Sequence, residues 1–346
     1  MKRTDTIKVN VGNLSIGKST RVLIQSMCNV KTSNISAVSK QINECAKLGA
    51  DLMRISVLDL EDARAIKEIK KRIGIPLVAD IHFDYRLAIE AMNSGADAIR
   101  INPGNIGSTD RIKKIIEVAK KKKVAIRIGV NSGSLDKTIG KKSNAVNLVK
   151  SAKKHVKIFE DLGFRNIVIS LKGSNVKDTV DAYMMASKTF NYPLHLGITE
   201  AGPSEVGVIR SVAALSPLLI NGIGNTIRIS LSNDPREEII VAKRLLHDVG
   251  LYPNYPTLIS CPTCGRTQVD LIPLAEKVLK YLETNHINKK VAIMGCVVNG
   301  PGEAKECDIG LAGGRHEWVL FKKGKPIKKI KHEDAFNTLV KELKKL

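Results

Sequence analysis

Leu48-Gly49-Ala50-Asp51-Leu52-Met53-Arg54-Ile55-Ser56 joins the end of one amphipathic run to a short apolar one, and the fold class turns on it. The glycine suits a helix C-terminus that turns into a strand. Alternation in Met53-Arg54-Ile55-Ser56 predicts the end of a buried strand, with arginine and serine on one face and isoleucine on the other. The same frame returns as Ile99-Arg100-Ile101-Asn102, Ile126-Arg127-Ile128-Gly129 and Ile227-Arg228-Ile229-Ser230. Four guanidinium groups at strand ends repel one another and are costly to desolvate, so the chain reads as built around a polyanion.

On either side of this stretch, eight strand-like runs alternate with amphipathic ones: 21–27, 51–57, 75–81, 96–102, 124–130, 165–171, 192–198 and 226–231. Helical spacing marks 35–48, 60–73, 111–122, 146–162 and 176–190 between them. Strand-helix alternation with apolar strands means a parallel sheet, and eight units in about 250 residues is the size of a closed (βα)8 TIM-type barrel. A doubly wound open sheet is the structural alternative. The barrel is placed at residues 1–250, with 251–259 as a Pro-containing linker and 260–346 as a smaller α/β domain with a helix over 269–285, a strand over 290–298, a hairpin near Lys323-Gly324 and a terminal helix.

Gly12 to Ser19 matches the phosphate-loop pattern G-x-x-x-x-G-K-[ST], but that motif needs strand, loop and helix in order. Here the glycine-lysine pair runs into the β-type stretch Arg21-Val22-Leu23-Ile24-Gln25, so a hairpin is expected.

In such barrels the residues that act on substrate lie at the C-terminal strand ends. Those ends offer five cations, Arg54, Arg100, Arg127, Lys172 and Arg228, and two acids, Asp80 and Glu200. Two carboxylates cannot neutralise five cations, whereas a small ligand with two phosphate groups closes the gap through bidentate guanidinium contacts. Glu200 beside phosphate suits a proton donor, and His82 shares a strand face with Asp80.

Of six cysteines, Cys28 and Cys45 sit in apolar settings and read as core residues, while Cys261, Cys264, Cys296 and Cys307 cluster late in the chain. Cys261-Pro262-Thr263-Cys264 puts two thiolates on one turn, and Cys296 opens a Gly-rich stretch. Three thiolates suit an iron-sulfur cluster with one other ligand; four suit zinc or an all-cysteine cluster. Spacing leaves both open. The C-x-x-x-C-x-x-C of radical adenosylmethionine enzymes is absent.

Fifty-six Lys and Arg against 34 Asp and Glu give a net charge of +22, which favours acidic partners, and aromatics at 4% argue against base stacking on nucleic acid. The start, Met1-Lys2-Arg3-Thr4-Asp5-Thr6, lacks the apolar core of a signal peptide, and no apolar run is long enough to span a bilayer, so a cytoplasmic, membrane-free protein is expected.

The chain resembles the 4-hydroxy-3-methylbut-2-en-1-yl diphosphate synthases, iron-sulfur reductases of the non-mevalonate (MEP) isoprenoid pathway. The resemblance rests on an ordered set from Val11-Gly12-Asn13 and Gln25-Ser26-Met27, through Ala79-Asp80-Ile81-His82-Phe83, Arg100-Ile101-Asn102-Pro103-Gly104-Asn105, Arg127-Ile128-Gly129-Val130-Asn131, Ser170-Leu171-Lys172 and Gly197-Ile198-Thr199-Glu200-Ala201-Gly202, to Ser260-Cys261-Pro262-Thr263-Cys264-Gly265-Arg266 and Val298-Asn299-Gly300-Pro301-Gly302-Glu303. Cys28 departs from the threonine that usually follows Gln-Ser-Met.

The resemblance implies an oxidoreductase that opens 2-C-methyl-D-erythritol 2,4-cyclodiphosphate and removes a hydroxyl, with two electrons delivered through a [4Fe-4S] cluster. It implies a second domain of nitrite/sulfite-reductase type with Cys261, Cys264, Cys296 and Glu303 as cluster ligands and Cys307 as bystander. Arg54, Arg100, Arg127, Lys172 and Arg228 would hold the diphosphate, with Asp80, His82, Asn102, Asn131 and Ser230 completing the pocket and Glu200 moving a proton. An acidic flavodoxin or ferredoxin would supply electrons, and the short two-domain form would be a homodimer in which one subunit's cluster domain serves the other's barrel. The rivals are a zinc-stabilised barrel isomerase or aldolase acting on a sugar bisphosphate, and a basic RNA-binding protein favoured only by charge.

Overall fold

The computed structural model describes residues 2–131, 144–173, 175–199, 202–296 and 305–346. Contacts divide the chain into two compact units, one up to Tyr252 and one from Pro253.

The first unit opens with a hairpin, β1 (Val9–Val11) and β2 (Leu14–Ile16), paired antiparallel as the reading of Gly12 to Ser19 expects. Eight parallel strands come next: β3 (Leu23–Met27), β4 (Leu52–Ser56), β5 (Leu77–Asp80), β6 (Ala98–Ile101), β7 (Ala125–Asn131), β8 (Ile167–Lys172), β9 (His195–Leu196) and β10 (Thr226–Ile227). Their order is β8-β7-β6-β5-β4-β3-β10-β9, and a parallel bridge between Ile169 and Leu194 joins the two ends, closing the barrel. The helices between strands are α1 (Ile35–Leu48), α2 (Leu60–Lys70), α3 (Tyr85–Asn93), α4 (Pro103–Ile106), α5 (Thr109–Lys122), α6 (Asn144–Asp161), α7 (Val176–Thr189), α8 (Ser204–Ile220) and α9 (Pro235–Asp248).

The period of two sorts each strand into an outside and an inside. Met53, Ile55, Ala79, Ile99, Ile101, Ile126 and Ile128 face outward into one large core shared with the helices. Leu23, Leu52, Val78, Ala98, Ala125 and Val168 face inward and form an apolar layer against Val9, Val11 and Ile16 of the hairpin, which plugs the amino end of the barrel. Two residues further along the same strands the inward layer turns polar, with Gln25, Arg54, Asp80, Arg100, Arg127 and Ser170 all buried. The plug leaves the carboxyl end as the mouth where this polar layer meets ligand.

The second unit is a five-stranded sheet in the order β11 (Thr257–Ser260), β12 (Lys290–Met294), β13 (Ile309–Gly313), β14 (Glu317–Lys322) and β15 (Lys325–Lys331). The first three strands are parallel, and β14 and β15 are the expected antiparallel hairpin. α10 (Leu271–Thr284) and a closing helix, Ala335–Leu343, cover the apolar core of Val291, Ile293, Leu311 and Trp318. β11 begins at Thr257, inside the 251–259 stretch read as linker, and ends at Ser260. A four-residue strand beside Pro256, only half buried, carries too little pattern to stand out from a loop.

Candidate active site

Nine of the ten residues assigned to substrate from sequence line one cavity of about 320 Å³ at the carboxyl mouth: Arg54, Asp80, His82, Arg100, Arg127, Asn131, Lys172, Arg228 and Ser230. Register places them, with Arg54 two residues before the level of Asp80, Asp80 beside Arg100, Arg100 beside Arg127, and Asn131 beside Lys172. Gly129 makes room for this: a Cβ there would sit 2.5 Å from Arg100 Nε, so only glycine lets the guanidinium lie flat against the strand.

Asn102 does not line the cavity. It is buried, and its side-chain oxygen accepts from the Gly104 N–H (3.1 Å), capping α4. An asparagine directly before a proline at the first helical position is a cap by its chemistry, and here that role takes the side chain. Glu200 and Glu303 lie outside the described residues.

The structure adds residues that had not been assigned to substrate. Met27, which the sequence places at a strand end, lines the same cavity together with Ser170 and Thr199. Arg54 Nε and Nη2 donate to the Met27 sulfur at 3.1 and 3.0 Å, a weak acceptor that a phosphate oxygen outcompetes. A further carboxylate arrives from α9: Glu238, 3% exposed, accepts from Arg228 Nη2 (3.3 Å), Ser26 Oγ (2.6 Å) and the Leu231 N–H (3.1 Å). Asp80 is shared, lying 3.2 Å from Arg100 and 3.5 Å from Arg54, with His82 Nε2 3.9 Å away at the half-exposed rim.

Among the described residues five cations therefore face two carboxylates, Asp80 and Glu238. Burial raises the Asp80 carboxyl, but Arg54, Arg100 and Arg127 outweigh it and hold the group down at about 2. Three of the cations are lowered as well, which for them disfavours the charged form. Burial pulls Arg54 down to about 10, with Arg228 and Arg100 adding to the effect and Asp80 opposing it. Burial and the neighbouring arginines drive Lys172 and Arg127 well below their ordinary values. One carboxylate shared among several cations is overstabilised as an anion while each cation stays undercompensated, which is the signature of a missing anion. Arg127 Nη2 and Ser230 Oγ are buried without a hydrogen-bond partner, and both belong to this cavity. Below it Arg127 Nη1 is held by Gln25 Oε1.

Replacing Glu238 with glutamine keeps an acceptor for Ser26 and Leu231 but removes the charge that aims Arg228. KM for the phosphorylated substrate is expected to rise roughly tenfold, equivalent to about 1.4 kcal/mol, with kcat within a factor of three. Steady-state kinetics check this, and a melting temperature unchanged within a few degrees separates it from unfolding.

In the second unit β11 and β12 are in parallel register with Ser260 opposite Ile293, so Cys261 and Cys296 leave neighbouring strands at the same sheet edge. Cys261 Sγ accepts the Gly295 N–H at 3.1 Å, a bond to sulfur of the kind that tunes cluster thiolates. Cys264 is exposed, and hydrogen bonding from the Arg266 backbone draws its thiol below the ordinary value. Cys307 stands at the opposite edge, before β13, where Asp308 N donates to Lys290 O (2.9 Å). Five residues of β12 separate that level from Gly295, roughly 16 Å at strand rise. Cys28 and Cys45 are buried, their thiols pushed up to about 12 chiefly by desolvation, as core cysteines should be. Among the described residues no three His, Cys, Asp or Glu side chains form a closed metal group. The donor chemistry fits an iron-sulfur cluster: soft thiols at one sheet edge, one of them already taking an N–H, next to the 297–304 stretch that holds Glu303.

A (βα)8 barrel with a five-cation mouth, together with a unit bearing thiols at adjacent strand ends, defines a phosphate-handling barrel enzyme with an appended cysteine domain. The chain belongs to the GcpE family, matching the GcpE TIM-barrel domain over residues 6–243 and the GcpE protein C-terminal domain over residues 257–345. It is 52% identical over 344 residues to the 4-hydroxy-3-methylbut-2-en-1-yl diphosphate synthase (flavodoxin) of Clostridium perfringens, covering 99% of each chain. It is 51% identical to the protein of the same name from Bacillus subtilis, covering 99% of this chain and 91% of that one. Among solved structures, Yersinia pestis dihydropteroate synthase superposes with a TM-score of 0.53 at 15% identity, over 70% of this chain and 98% of that one, a likeness of fold alone. No helix among the described residues is long and apolar enough to cross a membrane.

Proposed function

We infer that this chain carries out the reaction of its family, the reductive opening of 2-C-methyl-D-erythritol 2,4-cyclodiphosphate to 4-hydroxy-3-methylbut-2-enyl diphosphate in isoprenoid biosynthesis. The observation that carries the reading is the mouth in which five buried or nearly buried cations meet two carboxylates. A cyclic diphosphate supplies the missing anion and is small enough for a cavity of about 320 Å³.

Arg54, Arg100, Arg127, Lys172 and Arg228 bind the diphosphate, Arg54 exchanging its Met27 sulfur contact for phosphate oxygen. Ser230 and Arg127 Nη2 find in the ligand the partners they lack. Asn131 and the rim residue His82 orient the rest of the substrate, and Asp80 fixes Arg54 and Arg100 so that they present their donors without reorganisation. Glu200 is assigned the proton that leaves with the hydroxyl as water.

Cys261, Cys264, Cys296 and Glu303 are assigned to a [4Fe-4S] cluster, which when bound supplies the two electrons one at a time. Cys307, at the far edge of the sheet, is left out. The reading includes an acidic flavodoxin or ferredoxin as donor, a cytoplasmic homodimer, and the barrel and cluster units as 1–250 and 260–346.

Anaerobically purified protein is expected to be brown, to hold iron at about four per chain, and to turn over the cyclic diphosphate with reduced flavodoxin. Reduction by flavodoxin should slow as salt rises, because a chain of net charge +22 attracts an acidic donor through screened charges. Colourless protein with one zinc and no reductive turnover would overturn the reading in favour of a sugar-bisphosphate isomerase or aldolase. Salt-resistant binding to arbitrary RNA with no affinity for the cyclic diphosphate would return the RNA-binding alternative.

A further inference from the structure

We infer that the amino-terminal end of the barrel carries a second anion site, distinct from the catalytic mouth, that takes a small phosphate or diphosphate. This site is independent of the proposed reaction and would hold if that reading failed.

The phosphate-loop-like stretch Gly12 to Ser19 forms the turn of a hairpin, its second strand and the exit from that strand, and no helix begins there. The structure nonetheless wraps this stretch around a cavity of about 570 Å³, lined by Lys8, Asn13, Ser15, Lys18, Ser19 and Arg21. Three cations share this hollow. Arg21 pairs with Asp51, while among the described residues neither Lys8 nor Lys18 has a carboxylate within ion-pair distance.

Backbone geometry adds donors. Gly17 (φ +99°) is pinned, since a Cβ there would meet Ile7 O at 2.0 Å. Lys18 is next, in the left-handed region at φ +48° although it is not glycine, a conformation that concentrates at ligand clamps. Among the described residues no protein acceptor takes the backbone N–H of Lys18, Ser19 or Thr20. Ser19 Oγ accepts from the Arg21 N–H (3.1 Å), so its own proton is available to a ligand. Lysine ammonium groups, a serine hydroxyl and consecutive free N–H groups are the donors that cradle phosphate oxygens, with or without a helix behind them.

The two cavities cannot share one ligand. Leu23 lines this one and Met27 the catalytic one, and they are the first and last residues of β3. Four residue steps separate them, about 13 Å, with the inward apolar layer between. The competing account is that these are ordinary solvated lysines on a basic protein, and a charge-matched control separates the two.

Inorganic diphosphate is titrated calorimetrically into the holoenzyme in about 150 mM salt, where diffuse attraction is screened. The variant Lys8→Ala/Lys18→Ala changes exposed side chains only, and Lys121→Ala/Lys122→Ala on α5 serves as the control. Expected is one equivalent fewer, or at least tenfold weaker binding of that equivalent, in the Lys8/Lys18 variant, with the control like the natural chain. Substrate turnover should stay within twofold in both. Binding that is identical in the natural chain and the Lys8/Lys18 variant, or weakened equally by the control, overturns the site.

Discussion

Replacing Cys296 with alanine is expected to lower turnover by at least about a thousandfold, some 4 kcal/mol of activation free energy, and to strip iron from the chain. The barrel should still bind inorganic diphosphate. Cys296 is 7% exposed and two residues beyond β12, at the sheet edge where Cys261 leaves β11 and accepts the Gly295 N–H. Alanine removes a soft donor there and leaves a void no larger than a sulfur atom, so stability should change by about 1 kcal/mol while cluster retention collapses. Cys307→Ala is the informative contrast. That thiol is fully buried in the apolar cluster on its face of the sheet, at the amino edge of β13, and burial raises it above its ordinary value. Its loss should weaken packing only, with iron and turnover unchanged. Iron and sulfide analysis, visible absorbance and anaerobic kinetics on both variants read this out. If Cys296→Ala keeps its iron and Cys307→Ala loses it, the assignment of ligands is reversed.

The barrel was legible because its strands obey a strict period of two with different chemistry on each face. Isoleucine marks the outward face against the helices and arginine the inward one in β4, β6 and β7, and β5 keeps the same alternation with Ala79 outward and Asp80 inward. β9 and β10 are only two residues each, shorter than the apolar runs 192–198 and 226–231. The chain still takes a strand path beyond them, since Arg228 N donates to Leu196 O (2.9 Å), which is why Arg228 reaches the mouth as the longer reading required.

The features that stayed hidden depended on packing partners rather than on local pattern. Glu238 lies in the acidic first turn of α9, where a carboxylate is expected for its effect on the helix dipole. A signal was present: Ile239, Ala242 and Leu246 define the buried face, and Glu238 falls on it, so a carboxylate was headed inward where only a cation could receive it. Met27 was legible as a strand-end residue, but nothing in Gln25-Ser26-Met27 says that a thioether will hold a guanidinium. Asn102 was legible as a helix cap from Asn-Pro-Gly, but its place in the recurrent arginine frame drew it toward the pocket. In each case the local chemistry was correct and the third dimension chose between two roles.

Asp80→Ala should destabilise the ligand-free barrel by about 3 to 5 kcal/mol at neutral pH, since it strips the shared carboxylate from Arg54 and Arg100 and leaves buried positive charge uncompensated. The sign of the pH dependence is set by the folded group titrating at about 2, below its ordinary 3.8. A carboxyl depressed by folding stabilises above its unfolded pKa, and that contribution, on the order of 2 kcal/mol for the ionisation itself, fades as pH falls from about 4 toward 2. Natural and variant stabilities should therefore converge in acid and diverge at neutrality. An anion in the mouth takes over part of the work of the missing carboxylate, so inorganic diphosphate should raise the melting temperature of Asp80→Ala by more than that of the natural chain. Circular dichroism melts with and without diphosphate, joined to hydrogen exchange of β4, β5 and β6 amides at pH 7 and pH 3, measure both effects. Equal stability of the two proteins at pH 7, or a smaller diphosphate response in the variant, would mean that the five cations do not depend on Asp80 and that their charges are balanced by some other route.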